Sequence, residues 1–287
     1  METSESSSAV IGKESRWAVL PPRYLESVRM QKLAETLRHE KQCLDVFTEF
    51  IGDVLLRDIT PERADAWKIF LGTRYAPNSI RVRITIIKTA LEYAVRIGAL
   101  ERNPFDYVKL PSVTFAGRIL TDAELALILG RLPLHIRKIA KLALFTGMRR
   151  GEICSLQWNQ VGRTPKGNHY IVVTADKSKN GKERIIPLQR KVRELLGQRR
   201  DPESSVFGIT DKAINYWTLK VCRLLKIGPF RFHDFRHTAA YKAVKSSEDL
   251  RPVQVAFGWA NITSATPYLH IVPTGQHGVL GIRYASF

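Results

Sequence analysis

The chain has 287 residues, enough for two domains with cores of their own, and its 44% hydrophobic and 25% charged composition excludes collagen-like, membrane-embedded and globally disordered classes. Lys and Arg number 45 against 27 Asp and Glu, and the resulting +18 points to a polyanionic partner, nucleic acid ahead of a membrane surface. Three scattered cysteines (Cys43, Cys154, Cys222), no apolar signal stretch and no membrane-length apolar run predict a cytoplasmic protein of a reducing compartment, with no metal and no cofactor.

Residues 1–23 are Ser-rich and reach Pro21-Pro22, the pattern of a flexible arm, with an ordered contact expected near Trp17. A helical domain is expected over 24–110. Val28, Leu33, Leu37, Leu44, Phe47 and Ile51 recur at three- to four-residue spacing and predict two helices before Arg57. Thr60-Pro61 caps a third, reaching Gly72, and Pro77-Asn78-Ser79 starts a long fourth that runs to Ile97 and closes at Gly98. Arg81, Arg83, Lys88 and Arg96 lie on that fourth helix, either as a phosphate-facing stripe or as an ordinary solvated face.

Residues 111–117 read as a linker, and Thr121-Asp-Ala-Glu124 is a capping box opening a second domain over 118–287. Charge divides unevenly at this point: residues 1–112 hold 17 basic and 15 acidic side chains, the remainder 28 and 12, so the second part carries the field. His169–Thr174 and Glu183–Leu188 are β-rich runs flanking Lys177-Ser-Lys-Asn-Gly-Lys182, where Asn180-Gly181 signals a hairpin. Helices dominate elsewhere, so the expected class is mostly α with a small β-sheet.

No phosphate-binding loop, dinucleotide glycine fingerprint or carboxylate cluster is present, which leaves ATP use, redox cofactors and two-metal nuclease chemistry unsupported. Four segments stand out instead: Thr146-Gly-Met-Arg-Arg-Gly-Glu152, the lysine-rich hairpin, His233-Asp-Phe-Arg-His237, and Gly258-Trp259 followed nine residues later by Tyr268. Arg149 and Arg236 could grip one phosphate as planar forks if the fold brings them together; alone, each would pass for surface charge. His233 and Arg236 sit three apart on one helix face, and Glu152 is placed to orient Arg149 or simply to pair with it across a helical turn. Arg150 reads as surface or DNA-backbone charge, and His39, His135 and His270 as structural histidines; His237, on nearly the same face as His233, reads as a supporting residue of the site or as a structural one.

In that order the four segments resemble the tyrosine recombinases, or phage integrases. Arg149 matches that family's Thr-Gly-x-Arg-x-x-Glu motif, His233, Arg236 and His237 its His-x-x-Arg-His motif, and Tyr268 its nucleophile; Arg102-Asn-Pro-Phe105 and Leu250–Trp259 extend the likeness over about 24–275. The resemblance implies a SAM-like core-binding domain and a mixed α+β catalytic domain closing on DNA as a clamp. It implies Lys179 as general acid, with Lys177 and Lys182 as competitors, a proton-transfer or phosphate-stabilising role for His233, and Trp259 at a position more often histidine. Pro267 is an unusual neighbour for the nucleophile; it biases Thr266 away from helix and places Tyr268 at a helix start or on a strained turn.

The implied activity is site-specific recombination or integration through a 3′-phosphotyrosine and a Holliday junction, as in mobile genetic elements, without ATP. The implied partners are double-stranded recombination sites, a homotetramer formed on paired sites from monomers, and accessory bending or directionality proteins, with nucleoid association through DNA. Val279–Phe287 is expected to dock on a neighbouring protomer. The rival readings are a type IB topoisomerase and a catalytically idle DNA-binding regulator of the same fold.

Overall fold

The computed structural model describes residues 11–112, 117–176 and 181–269 and divides the chain into two compact units, 1–114 and 115–287. The first unit is helical: α1 (Leu20–Val28), α2 (Ala34–Ile51), α3 (Pro61–Gly72) and α4 (Pro77–Arg96). Prolines stand in the first turns of α1, α3 and α4, where the missing N–H costs nothing, and the Thr60 hydroxyl accepts from the Arg63 N–H.

An aromatic cluster centres this unit. Phe47 of α2 meets Trp17, Trp67 and Phe105 edge-on, at ring separations of 4.9, 5.1 and 5.9 Å. Buried Asn103 positions Phe105 by accepting its backbone N–H while donating to the Lys88 carbonyl, which explains the Arg-Asn-Pro-Phe signature as a built turn. The contact expected near Trp17 proves extensive. Its ring is fully buried, its indole donates to the Thr48 hydroxyl at 2.7 Å, and Arg16 bridges to Leu55.

The second unit opens on α5 (Asp122–Arg131), where Thr121 and Glu124 satisfy each other's backbone N–H groups in the expected capping box. α6 (Leu134–Thr146) and α7 (Arg150–Cys154) follow, then β1 (Val161–Arg163), β2 (His169–Val173) and β3 (Arg184–Leu188), an antiparallel sheet in that order. Ile171 pairs with Ile186, and Pro187 is tolerated because β3 is the edge strand. Completing the unit are α8 (Arg190–Leu195), α9 (Asp211–Leu225), α10 (His233–Ser246), α11 (Leu250–Phe257) and α12 (Thr266–Leu269). α6 is the central helix, its Ile136, Ile139, Ala140 and Ala143 buried while it packs along α10.

The two β-rich runs form β2 and β3 to within one residue, with Val173 paired to Arg184 so that residues 174–183 connect them, and Gly181 takes a left-handed φ of +63°. One detail was not read from the sequence. β1 has only three residues, too few for periodicity to reveal it. Among the described residues no helix is long and apolar enough to cross a membrane, and no group of three or more His, Cys, Asp or Glu could hold a metal ion.

Trp17→Ala is expected to remove about 3–5 kcal/mol of stability, as for a fully buried large aromatic, read as a shifted urea unfolding midpoint. A change below ~1 kcal/mol would show that residues 11–20 are dispensable.

Candidate active site

The site is built on the C-terminus of α11. Gly258 takes the left-handed conformation (φ +58°, ψ +48°) and its N–H bonds the Val255 carbonyl, while the Trp259 N–H reaches back to Gln254, both at 3.0 Å. This is a Schellman ending, so glycine is required there and Trp259 is sent to a defined place beyond it. The ending leaves the carbonyls of residues 256, 257 and 258 pointing past the helix. Each accepts from a different arginine: Ala256 from Arg184 Nε at 3.2 Å, Phe257 from Arg236 Nη2 at 2.7 Å, and Gly258 from Arg149 Nη2 at 3.2 Å.

Arg149 precedes α7, and Arg236 lies on the first turn of α10, 87 residues later. Arg236 also donates to the carbonyl of Gly147, the left-handed glycine that closes α6. A Cβ on Gly147 would collide with the Phe257 ring, and one on Gly258 would crowd the Arg184 guanidinium, so both glycines are fixed by space as well as by φ. Glu152 is buried and supplies the facing negative charge. Its oxygens accept from the Arg149 N–H (2.7 Å), Arg149 Nη1 (2.9 Å), Arg184 Nη1 (3.1 Å) and Arg184 Nη2 (2.7 Å), the full capacity of a carboxylate. Burial alone would raise its pKa, but the Arg184 guanidinium and then Arg149 hold it below the usual carboxylate range.

Tyr268 enters from α12. Its ring stacks on Trp259 (5.8 Å, 12° between planes) and joins a small core with Ala239, Val244, Phe257 and Ala265. The hydroxyl shares a 2.7 Å hydrogen bond with His237 Nδ1, and burial, partly offset by Arg236, pushes the phenol up to about 12. His233 opens α10 with its ring 4.8 Å from that of His237. Enclosure of the ring, then His237, Arg236 and Arg149, press its pKa down to about 4, so it is neutral at pH 7. Burial lowers His237 as well, and Arg236, displaced chiefly by burial and then by Arg149 to about 9, stays charged.

Arg149, Glu152, His233, Arg236, His237, Trp259 and Tyr268 are thus gathered in the second unit. Lys177 and Lys179 lie outside the described residues, as do His270 and Val279–Phe287; Lys182 is exposed beside β3. Arg150 faces away and pairs with Asp211 and Asn215. On α4, Arg81 is exposed and donates to the Pro111 carbonyl, Lys88 pairs with Asp106, and Arg83 lies over the Tyr75 ring with Nη1 near the Cys43 sulfur. Arg81 and Lys88, seven apart, share a face from which Arg83 is displaced by helical geometry, so the three form no single stripe.

One reading is sharpened and one corrected. His237, expected beside the site or as a structural histidine, lies one turn after His233 on α10 and touches the tyrosine hydroxyl because α12 packs on α10. Thr266 is helical (φ −49°, ψ −44°) despite Pro267, because burial of Ala265 and Tyr268 outweighs the steric bias and the proline occupies a first turn; Tyr268 therefore sits at a helix start. Arg184 was missed altogether. Its signal was its place on the inward face of β3, in phase with buried Ile186 and Leu188.

Residues 118–274 match the phage integrase family and residues 23–110 the phage integrase SAM-like domain. The chain is 27% identical over 243 residues to the shufflon-specific DNA recombinase of Escherichia coli, covering 82% of this chain but only 60% of that protein's length. It is 23% identical to the ICEBs1 integrase of Bacillus subtilis (88% and 78% covered) and 25% identical to a tyrosine recombinase of Pseudothermotoga lettingae (85% and 93% covered). In fold it is similar to lambda integrase bound as a dimer to a COC′ core site (TM-score 0.76, 17% identity, 93% and 100% covered) and to the Tn1549 transposon integrase with circular-intermediate DNA (TM-score 0.70, 17% identity, 87% and 94% covered).

Glu152→Gln is expected to cost about 3–5 kcal/mol in urea unfolding, since two guanidiniums lose a shared buried counter-charge. An unchanged midpoint would refute that accounting. For pH, His233 has a folded value below its ordinary 6.5, so the stability tied to its neutral ring is complete above pH 6.5 and lost as pH falls toward 4. His233→Gln is expected to flatten the stability slope between pH 6.5 and 4; an unaltered slope would contradict the assignment.

Proposed function

The chain belongs to the phage integrase family, and from that premise we propose that it is a site-specific DNA recombinase that cuts and rejoins DNA through a phosphotyrosine. The observation that carries this reading is the convergence of Arg149 and Arg236, distant in sequence, on one helix terminus beside Tyr268.

In the reaction, Tyr268 Oη attacks the scissile phosphorus, the P–O5′ bond breaks, and a 3′-phosphotyrosine and a free 5′-hydroxyl result. Arg149 and Arg236 stabilise the charge growing on the non-bridging oxygens, for which preset donors are worth far more than in water. To attack, Tyr268 leaves its bond to His237 and turns to the guanidinium face. His233, neutral at pH 7 and therefore free to accept, takes the phenolic proton as the guanidiniums and the phosphate stabilise the phenolate. A lysine of the 174–183 connection, Lys179 in preference to Lys177 or Lys182, protonates O5′. Trp259, unable to shuttle a proton, packs the tyrosine and offers an indole N–H to the phosphate. The 5′-hydroxyl of a second duplex then reverses the step, conserving bond energy in the covalent intermediate through a Holliday junction.

Double-stranded DNA is the partner that the +18 charge favours, with Arg81, Arg83, Lys88 and Arg150 as backbone-contact candidates. The related lambda integrase has been solved as a tetramer on a Holliday junction, which supports a tetramer on paired sites here.

The test is incubation with a supercoiled plasmid library carrying randomised inserts, followed by denaturing extraction and sequencing of protein-linked ends. Wild type is expected to give an adduct at one site through a 3′ phosphate, Tyr268→Phe none, and Arg149→Ala or Arg236→Ala about 100-fold less or lower still. Binding without any adduct would overturn catalysis in favour of a regulator; relaxation without strand exchange would favour a topoisomerase.

A further inference from the structure

Arg184 plays no part in the reaction as just described, yet it is as deeply buried as Arg236, and its side chain is 3% exposed against 21% for Arg149. We propose that Arg184 is a positioning residue for strand cleavage, fixing Arg149 through Glu152 from the strand that ends the lysine-bearing connection.

The inward-facing positions of β3 are Arg184, Ile186 and Leu188. An apolar residue at the first would complete the face, and a buried ion pair is a poor source of stability compared with such packing. Hydrogen bonding shows what the charge does instead. Arg184 holds both Glu152 oxygens as a planar fork and spends its Nε on the Ala256 carbonyl. A carboxylate held by Arg149 alone could pivot about its terminal torsion, which is broad. Clamped from the far side by Arg184, its plane is set, and with it the Arg149 Nη1 that donates to Oε1. Gly258 makes the arrangement fit, since a Cβ there would stand 3.0 Å from Arg184 Nη1. Arg184 thereby ties three segments together: the start of α7 with Arg149, the strand after the lysines, and the α11 ending that leads to Trp259. A displacement of β3 would be transmitted to the phosphate-gripping arginine within two hydrogen bonds.

This proposal rests on the recombinase reading, and its test uses the full chain with the duplex recovered by adduct sequencing. Single-turnover cleavage is measured for Arg184→Met, Arg149→Lys and the double variant, and DNA affinity by anisotropy with each change placed in Tyr268→Phe. Arg184→Met is expected to slow cleavage about 100-fold while changing affinity less than about threefold, and to add little to Arg149→Lys, because residues acting as a unit are non-additive. A merely destabilised fold would instead multiply with Arg149→Lys. Arg184→Lys, which keeps the charge but loses the fork, serves if the methionine variant does not fold, and is expected to recover only part of the rate. Wild-type cleavage by a folded Arg184 variant, or losses that multiply, would overturn the proposal and leave the recombinase reading standing. No adduct from the wild-type chain would bring down both.

Discussion

Three consecutive carbonyl groups at one helix end organise this site. A helix terminus leaves its last carbonyls without partners and carries partial negative charge, a combination that cations relieve. Here the relief comes from Arg184, Arg236 and Arg149, one to each of residues 256–258. Glu152 adds a full negative charge that keeps two of the three guanidiniums from repelling each other. Gly258 fixes where the carbonyls point, and Gly147 brings the end of α6 close enough for Arg236 to span both helices. Segments far apart in sequence are thereby held to one another by directional bonds added to the apolar packing of α6, α10 and α11.

The tyrosine is held by different forces. Tyr268 belongs to the apolar cluster of α10, α11 and α12, and its hydroxyl is engaged by His237 and kept protonated by burial. Rigid electrostatics therefore define where the guanidiniums stand, while softer contacts define where the Tyr268 phenol stands. The second set can give way without disturbing the first, because the arginines donate to backbone and to Glu152.

Much of this was legible in the sequence for identifiable reasons. Caps are local, so Thr60-Pro61, Pro77 and Thr121 with Glu124 announced their helices correctly. The motif residues were legible because the spacings within Thr146–Glu152, within His233–His237 and from Gly258-Trp259 to Tyr268 resemble those of a known family. What escaped was tertiary. The Glu152 partnership with Arg184 spans 32 residues and depends on strand register, and the His237 contact depends on how α12 lies on α10. The α4 cations could be read only as alternatives, a phosphate-facing stripe or a solvated face, because the pairing of Lys88 with Asp106 and the seating of Arg83 on an aromatic face are engagements that composition cannot reveal.

The parallel stack of Tyr268 on Trp259 has an optical consequence. Indole emission responds to what lies against its face, so the location of the phenol is written into the fluorescence of one of the chain's five tryptophans. Against the constant background of the other four, a change in that emission would follow the departure of the phenol in real time, without any dye attached to the protein.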